Sequence, residues 1–184
     1  MQPFVPDRLV PEIWLMTDER NDHTLEDNVS KLPRRSGIIY RHYHLDSKAR
    51  EARFAQLRKI ARRRDHTILL AGSPHMARAW GADGIHGREW KKYRTSGLLH
   101  SAPVHDAKEI AEAKHADADL FFLSPAFATQ SHPGKKPLST LQLRQLIRLC
   151  DKPVILLGGM NAKRFNSCRR LGASGWAAID ALRR

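Results

Sequence analysis

One unit recurs along this chain, and it narrows the available folds more than any other feature. A helix-like stretch ends in small residues, turns sharply and passes straight into a short apolar run. It occurs as Trp80-Gly81-Ala82-Asp83-Gly84-Ile85-His86, as His115-Ala116-Asp117-Ala118-Asp119-Leu120-Phe121-Phe122, and as Leu171-Gly172-Ala173-Ser174-Gly175-Trp176-Ala177. Glycine at such a point suits the left-handed residue that closes a helix. The apolar runs are continuous rather than alternating, which is how a strand covered on both faces reads.

Extended along the chain, this pattern predicts strands at 13–18, 37–43, 67–72, 84–86, 97–102, 119–124, 154–158 and 175–179. The clearest helices are predicted at 48–64, 106–115, 140–150 and 162–171, with Ser139 and Asn161 placed as caps. Strands alternating with helices argue for a parallel sheet closed into a TIM-type (β/α)8 barrel. At 184 residues the chain is short for that fold, which takes about 250. The expectation is therefore one shortened barrel domain over 1–184, with stunted helices after the third and fourth strands and little or no eighth helix. An open doubly wound sheet is the alternative.

Residues 1–12, broken by Pro3, Pro6 and Pro11, read as an extended arm without the apolar core of a secretion signal. No apolar run is long enough for a membrane span. The two cysteines, Cys150 and Cys168, read as small buried hydrophobes in a reducing compartment. Together these features point to a cytoplasmic chain.

The net charge of +13 asks for an anionic partner, either nucleic acid or a phosphorylated metabolite. Between Lys48 and Arg64 the basic residues surround an apolar stripe of Phe54, Leu57, Ile60 and Ala61. That makes them the solvated side of an amphipathic helix. No nucleic-acid module is recognisable, so the quieter candidate, a phosphate ester, is preferred.

Two segments could hold such a group. Val154-Ile155-Leu156-Leu157-Gly158-Gly159-Met160-Asn161 is a buried strand, a glycine pair and a helix start, where backbone N–H groups can approach an anion. Ser124-Pro125-Ala126-Phe127-Ala128-Thr129-Gln130-Ser131-His132-Pro133-Gly134-Lys135-Lys136 is a long loop rich in hydroxyls and cations. His86, His100 and His105 fall near strand ends, where a histidine can move a proton. His42 and His44 project to one side of the predicted second strand, but no third ligand is placed by the sequence, so no metal site is assigned.

These segments, in order, resemble the thiamine-phosphate synthase family of the TenI-like superfamily. The resemblance rests on Trp14-Leu15-Met16-Thr17-Asp18, Gly81-Ala82-Asp83-Gly84-Ile85-His86, the 124–131 loop, Gly158-Gly159-Met160 and Gly172-Ala173-Ser174-Gly175-Trp176-Ala177-Ala178-Ile179-Asp180-Ala181. It implies a transferase of thiamine biosynthesis, joining hydroxymethyl-pyrimidine diphosphate to thiazole phosphate with release of diphosphate. By the same resemblance Arg41, Thr129, Ser131 and His132 hold the diphosphate. Gly158, Gly159, Ile179 and Asp180 hold the thiazole phosphate, and His86, His105 and Lys135 fall in the substrate pocket.

The chain also departs from the pattern. The family binds Mg²⁺ through two aspartates, and here those stretches read Ala71-Gly72-Ser73-Pro74 and His86-Gly87-Arg88-Glu89-Trp90. Pro125 stands where the tautomerase branch has a histidine. Asp180 puts a carboxylate beside a di-anion, which repels it unless the carboxylate is paired. A non-catalytic phosphate-ester-binding relative is therefore the alternative, and a basic nucleic-acid-binding protein is the alternative from another class. The oligomeric state stays open.

Overall fold

In the computed structural model, residues 10–88, 95–129 and 136–182 are described. Eight parallel strands pair in chain order and close on themselves. They are β1 (Ile13–Met16), β2 (Gly37–Tyr40), β3 (Thr67–Leu70), β4 (Gly84–His86), β5 (Leu99–Val104), β6 (Leu120–Leu123), β7 (Val154–Leu156) and β8 (Gly175–Ala178). The seam is β8 against β1, with Trp14 opposite Ala177 and Leu15 opposite Ala178. Closure rules out the open doubly wound sheet.

Around the barrel lie α1 (Leu25–Lys31), α2 (Ser47–Arg63), α3 (Pro74–Trp80), α4 (Ala107–His115), α5 (Thr140–Leu149) and α6 (Ala162–Cys168). A 3-10 turn over Glu19–Thr24 precedes α1, and a second over Arg169–Leu171 continues α6. The predicted caps form, with Ser139 and Gln142 making a reciprocal box at α5 and Asn161 accepting from Arg164 N at α6. The helix after β3 is short, as expected, and no helix follows β8 among the described residues.

Why the strands read as unbroken apolar runs is now plain. Alternate residues face opposite ways, and both faces are covered. Inward lie Trp14, Met16, Ile39, Leu69, Leu120, Phe122, Ile155 and Ala177, forming one core inside the barrel. Outward, Leu15, Ile38, Tyr40 and Ile68 meet α1, α2 and α3, while Phe121, Leu123, Val154 and Leu156 meet α4, α5 and α6. The Trp14 and Phe122 rings meet edge to face at 5.3 Å and fill the barrel's interior. Glycine makes room for them, because a Cβ on Gly37 would lie 2.1 Å from the Trp14 ring.

Several sequence-based expectations change. β1, β3 and β7 end two residues early, at Met16, Leu70 and Leu156, and three differences go further. β5 begins at Leu99, not at 97, because Gly97 adopts φ 77 and serves as a turn, so the strand runs on through Pro103 to Val104. β2 ends at Tyr40 rather than 43, since His42 turns to φ 39 and ends the extended run. The basic residues of α2 are not simply solvated. Lys59, Arg62 and Arg63 are exposed, but Arg50 is 9 % exposed and packs its guanidinium over Tyr43 and Trp80. Arg58 donates to Trp80 O, and Arg64 donates to Leu32 O. Long basic side chains here bury their stems and spend their donors on helix ends and carbonyls.

Both cysteines are free thiols: Cys168 is buried and Cys150 is half-buried at the end of α5. Burial pushes the Cys150 thiol up to about 11, which makes it inert. Among the described residues no helix is long and apolar enough to cross a membrane.

Gly84 tests the packing. A Cβ there would lie 2.0 Å from the Leu99 carbonyl oxygen, a backbone atom that cannot rotate away. Gly84→Ala is expected to cost about 1–3 kcal/mol, read as a lower urea midpoint at unchanged slope.

Candidate functional site

The strand carboxyl ends meet at one mouth, which holds a hollow of about 320 Å³. Its walls come from residues far apart in the chain: Arg41 after β2, His105 after β5, Ser124, Pro125, Ala128 and Thr129 after β6, Leu157 to Asn161 after β7, and Ile179 to Ala181 after β8. Seven of the residues singled out in the sequence line it, namely Arg41, His105, Thr129, Gly158, Gly159, Ile179 and Asp180. Ser131, His132 and Lys135 lie outside the described residues.

The glycine pair is built into the wall. Gly158 has φ 93 and Gly159 has φ 57, so both stand in the left-handed region that favours glycine. A Cβ on Gly159 would meet Ala128 O at 2.3 Å, and one on Gly158 would meet Pro125 Cα at 3.0 Å. The loop after β6 fills the space the missing side chains leave, tied by Ala126 N to Leu157 O (2.8 Å) and Phe127 N to Gly158 O (3.0 Å). The glycines thus bring two site loops together as well as baring the backbone. The N–H groups of Gly158, Gly159 and Met160 have no acceptor among the described residues, and all three residues line the hollow. α6 adds little to this cradle, being seven residues long with its start capped by Asn161.

Arg41 enters from the opposite wall. Its Nε donates to Thr17 O (2.9 Å) and its Nη2 to Asp18 Oδ2 (2.8 Å). Asp18 also takes Arg20 Nε at 2.8 Å, and Arg20 Nη1 reaches Asp180 Oδ2 at 3.4 Å. A chain of alternating charge, Arg41–Asp18–Arg20–Asp180, therefore runs along the rim over β2, β1 and β8. Burial alone would raise the Asp18 carboxyl, but Arg20 and Arg41 hold it below its usual range. Burial lowers the Arg41 guanidinium while Asp18 opposes the shift. The awkward carboxylate of Asp180 is thus paired with a cation.

Sequence reasoning missed Arg20, Asn21 and Arg164. Asn21 is fully buried and donates to Met16 O (3.1 Å) and Ile179 O (3.4 Å), stitching the barrel seam just below the rim. The signal was readable, because Asp18 and Asn21 have the spacing of a reciprocal cap and form one. Arg164 lines the hollow with its guanidinium over the Phe127 ring at 4.8 Å and an Nη1 bond to Gly159 O. Nothing in the sequence marked it out from the other surface arginines.

The histidines divide. His105 is held by Glu109, whose Oε2 accepts from both its N and Nδ1 at 2.7 Å. Burial would raise Glu109, yet the bonds from His105 and Arg88 hold it low. His86 lies inside the barrel against Phe122, with ring centres 5.1 Å apart, and does not line the hollow. Ser101 Oγ donates to Ile85 O, so it accepts from His86 Nδ1–H at 2.9 Å and leaves Nε2 as an acceptor. Burial, with the charges of Arg41 and His100, pushes His86 down to about 3, so the ring is neutral. His100 is buried and structural, bonded through Nε2 to Gly87 O at 2.7 Å.

The end of β3, where the resemblance places a metal carboxylate, offers none. Ser73 caps α3, and Arg50 Nη2 donates to Ala71 O at 2.7 Å, so a cation already stands beside that turn. These residues do not fit Mg²⁺. Glu89, at the second position, lies outside the described residues.

A family model described as thiamine monophosphate synthase matches residues 14–182. The chain belongs to this family. A putative thiamine-phosphate synthase 2 of Aquifex aeolicus is 25 % identical over 93 % of this chain and 97 % of its own length. The thiamine-phosphate synthase of Latilactobacillus sakei is 31 % identical over 55 % of this chain and 49 % of its own. Among solved structures, a thiamine phosphate pyrophosphorylase from Pyrococcus furiosus superposes with a TM-score of 0.77 at 21 % identity, covering 95 % of this chain and 88 % of that one. The last likeness speaks for the barrel. Membership places the chain at family level in thiamine biosynthesis.

A pH prediction follows from the buried histidines. In the fold His42, His66 and His86 all bind protons less readily than the ordinary 6.5, chiefly through burial. The unfolded chain therefore takes up protons first, so stability is full above about pH 6.5 and falls as pH drops through that value. For His86 the loss continues toward about 3. Urea midpoints between about pH 7 and about pH 5 should fall, and His86→Asn should flatten the slope; an unchanged slope would contradict the burial argument.

Proposed function

We propose that this protein is a transferase of the thiamine-phosphate synthase type and that the hollow at the barrel mouth is its phosphate-ester site. The observation that carries this reading is that Gly158, Gly159 and Met160, whose N–H groups have no acceptor among the described residues, line the same hollow as Arg41. Amides fixed in this way recognise a phosphate without reorganising.

In the reaction, the C–O bond of the pyrimidine diphosphate breaks and diphosphate leaves with the electron pair. The thiazole nitrogen then donates its lone pair to the carbon, forming the C–N bond. The glycine turn, with Ile179, holds the thiazole phosphate. Arg41 and Thr129 receive the leaving diphosphate, together with Ser131, His132 and Lys135 from outside the described residues. Arg20 neutralises Asp180, so that the phosphate meets no bare carboxylate. His105, held through Nδ1 by Glu109, lines the hollow on the β5 side, where it can meet a polar group of the pyrimidine. No step is assigned to a divalent metal, since the end of β3 does not suit one.

The second reading, a phosphate-ester binder without turnover, is favoured by that same Arg50-occupied turn. One assay separates the two. Purified protein given both substrates, with Mg²⁺ or with chelator, should form thiamine phosphate. Binding of thiamine phosphate without product would favour the second reading, and neither binding nor product would sink both.

The rim makes a sharper prediction. Arg20→Ala removes the cation paired with Asp180 beside the phosphate and should weaken thiamine-phosphate binding about tenfold, roughly 1.4 kcal/mol by calorimetry. Adding Asp180→Ser should restore most of that loss. Equal losses in the single and double variants would mean that Arg20 does not act through Asp180.

A further inference from the structure

We propose that Asp22, His42 and His44 form a binding site for one divalent transition-metal ion of the zinc class, apart from the phosphate-ester hollow. The sequence showed two histidines and no third ligand. The fold supplies it, because the 3-10 turn after β1 brings Asp22 against the loop leaving β2. One ligand atom from each of the three residues lies within 4.8 Å of the other two.

The site is on the outer side of the β2 end. Arg41 faces the hollow, whereas His42 turns the other way and stacks on Tyr40 with ring centres 4.9 Å apart. His42 is fully buried and held at both nitrogens, Nδ1 by Thr17 Oγ1 at 2.7 Å and Nε2 by Asp22 Oδ1 at 2.8 Å. Thr17 Oγ1 already accepts from Arg41 N, and it can accept from Nδ1–H as well. That bond leaves Nε2 as the ligand atom, with the ring oriented from behind, as metal-bound imidazoles are. In the metal-free fold the neutral ring donates Nε2–H to the Asp22 carboxylate and accepts Thr17 Oγ1–H at Nδ1. As the ion takes Nε2, the ring proton moves to Nδ1 and the Thr17 hydroxyl turns to accept it.

His44 is exposed, its ring centre lies 5.0 Å from that of His42, and no hydrogen bond to a described residue holds it. Tetrahedral bonds of about 2.0–2.2 Å put ligand atoms roughly 3.4 Å apart, so a small rotation of this free side chain completes the set. Water then fills the open position. Two imidazoles and one carboxylate select zinc, nickel or cobalt over magnesium.

Arg53 tempers the affinity, since its Nε holds Asp22 Oδ1 at 2.8 Å. The same guanidinium is shared with Glu26, so two carboxylates face one cation. Micromolar binding is the expectation.

The test uses tag-free, chelator-stripped protein titrated with zinc sulfate, and with magnesium chloride in parallel, by calorimetry and thermal unfolding. One zinc ion per chain should bind, and at a hundredfold excess over Kd the midpoint should rise by about 5–10 °C. Magnesium should leave it unchanged. His44→Ala should weaken zinc at least tenfold without moving the metal-free midpoint, because the side chain is exposed; Asp22→Asn should weaken it as well. No saturable zinc binding, equal binding by His44→Ala, or an equal response to magnesium would each overturn the proposal.

Discussion

The pairing of β8 with β1 is the contact on which everything else rests. While Trp14 lies opposite Ala177 and Leu15 opposite Ala178, the sheet has no edge and all eight strands deliver their carboxyl ends to one mouth. Only then do the loops after β7 and β8 stand beside Arg41, which belongs to the other end of the strand order. The seam is guarded from within and from above. Trp14 fills the interior against Phe122, and Asn21 spans from Met16 O to Ile179 O. Fold stability and site geometry are therefore one constraint here.

The rim shows how a basic chain manages its charge. Much of the cationic surplus is committed. Arg50 caps the ends of β2 and β3, Arg53 binds Asp22 and Glu26, and Arg20 links Asp18 to Asp180. What lines the hollow is Arg41, Asp180 and Arg164 with bare amides, the first two joined along the rim through Asp18 and Arg20. That arrangement recognises an anion by geometry more than by field strength, which suits a small phosphate ester.

The architecture was legible because period and punctuation agree. Helix-ending glycines such as Gly81 and Gly172 do adopt left-handed conformations, and the unbroken runs are strands buried on both faces. The boundary errors at β2 and β5 share one cause. His42 and Gly97 both turn to positive φ, and the apolar run alone does not show where that happens. Half of the site was legible too, since Gly158, Gly159 and Thr129 sit in motifs. Arg20 was not, because a side chain that matters through a partner 160 residues away leaves no local pattern. Asn21 was marked only as a cap partner of Asp18, not as a bridge to Ile179, and Arg164 looked like the other surface arginines. Asp180 read as an obstacle for the same reason, its partner being invisible in sequence.

The central claim is that the backbone at Gly158, Gly159 and Met160 receives the phosphate. Titrating ¹⁵N-labelled protein with thiamine phosphate and following backbone amide shifts tests it most directly. The account predicts saturable downfield proton shifts at these three amides, with the same midpoint as calorimetric binding. Saturable binding that leaves the three unmoved, with the shifts clustered elsewhere, would contradict it.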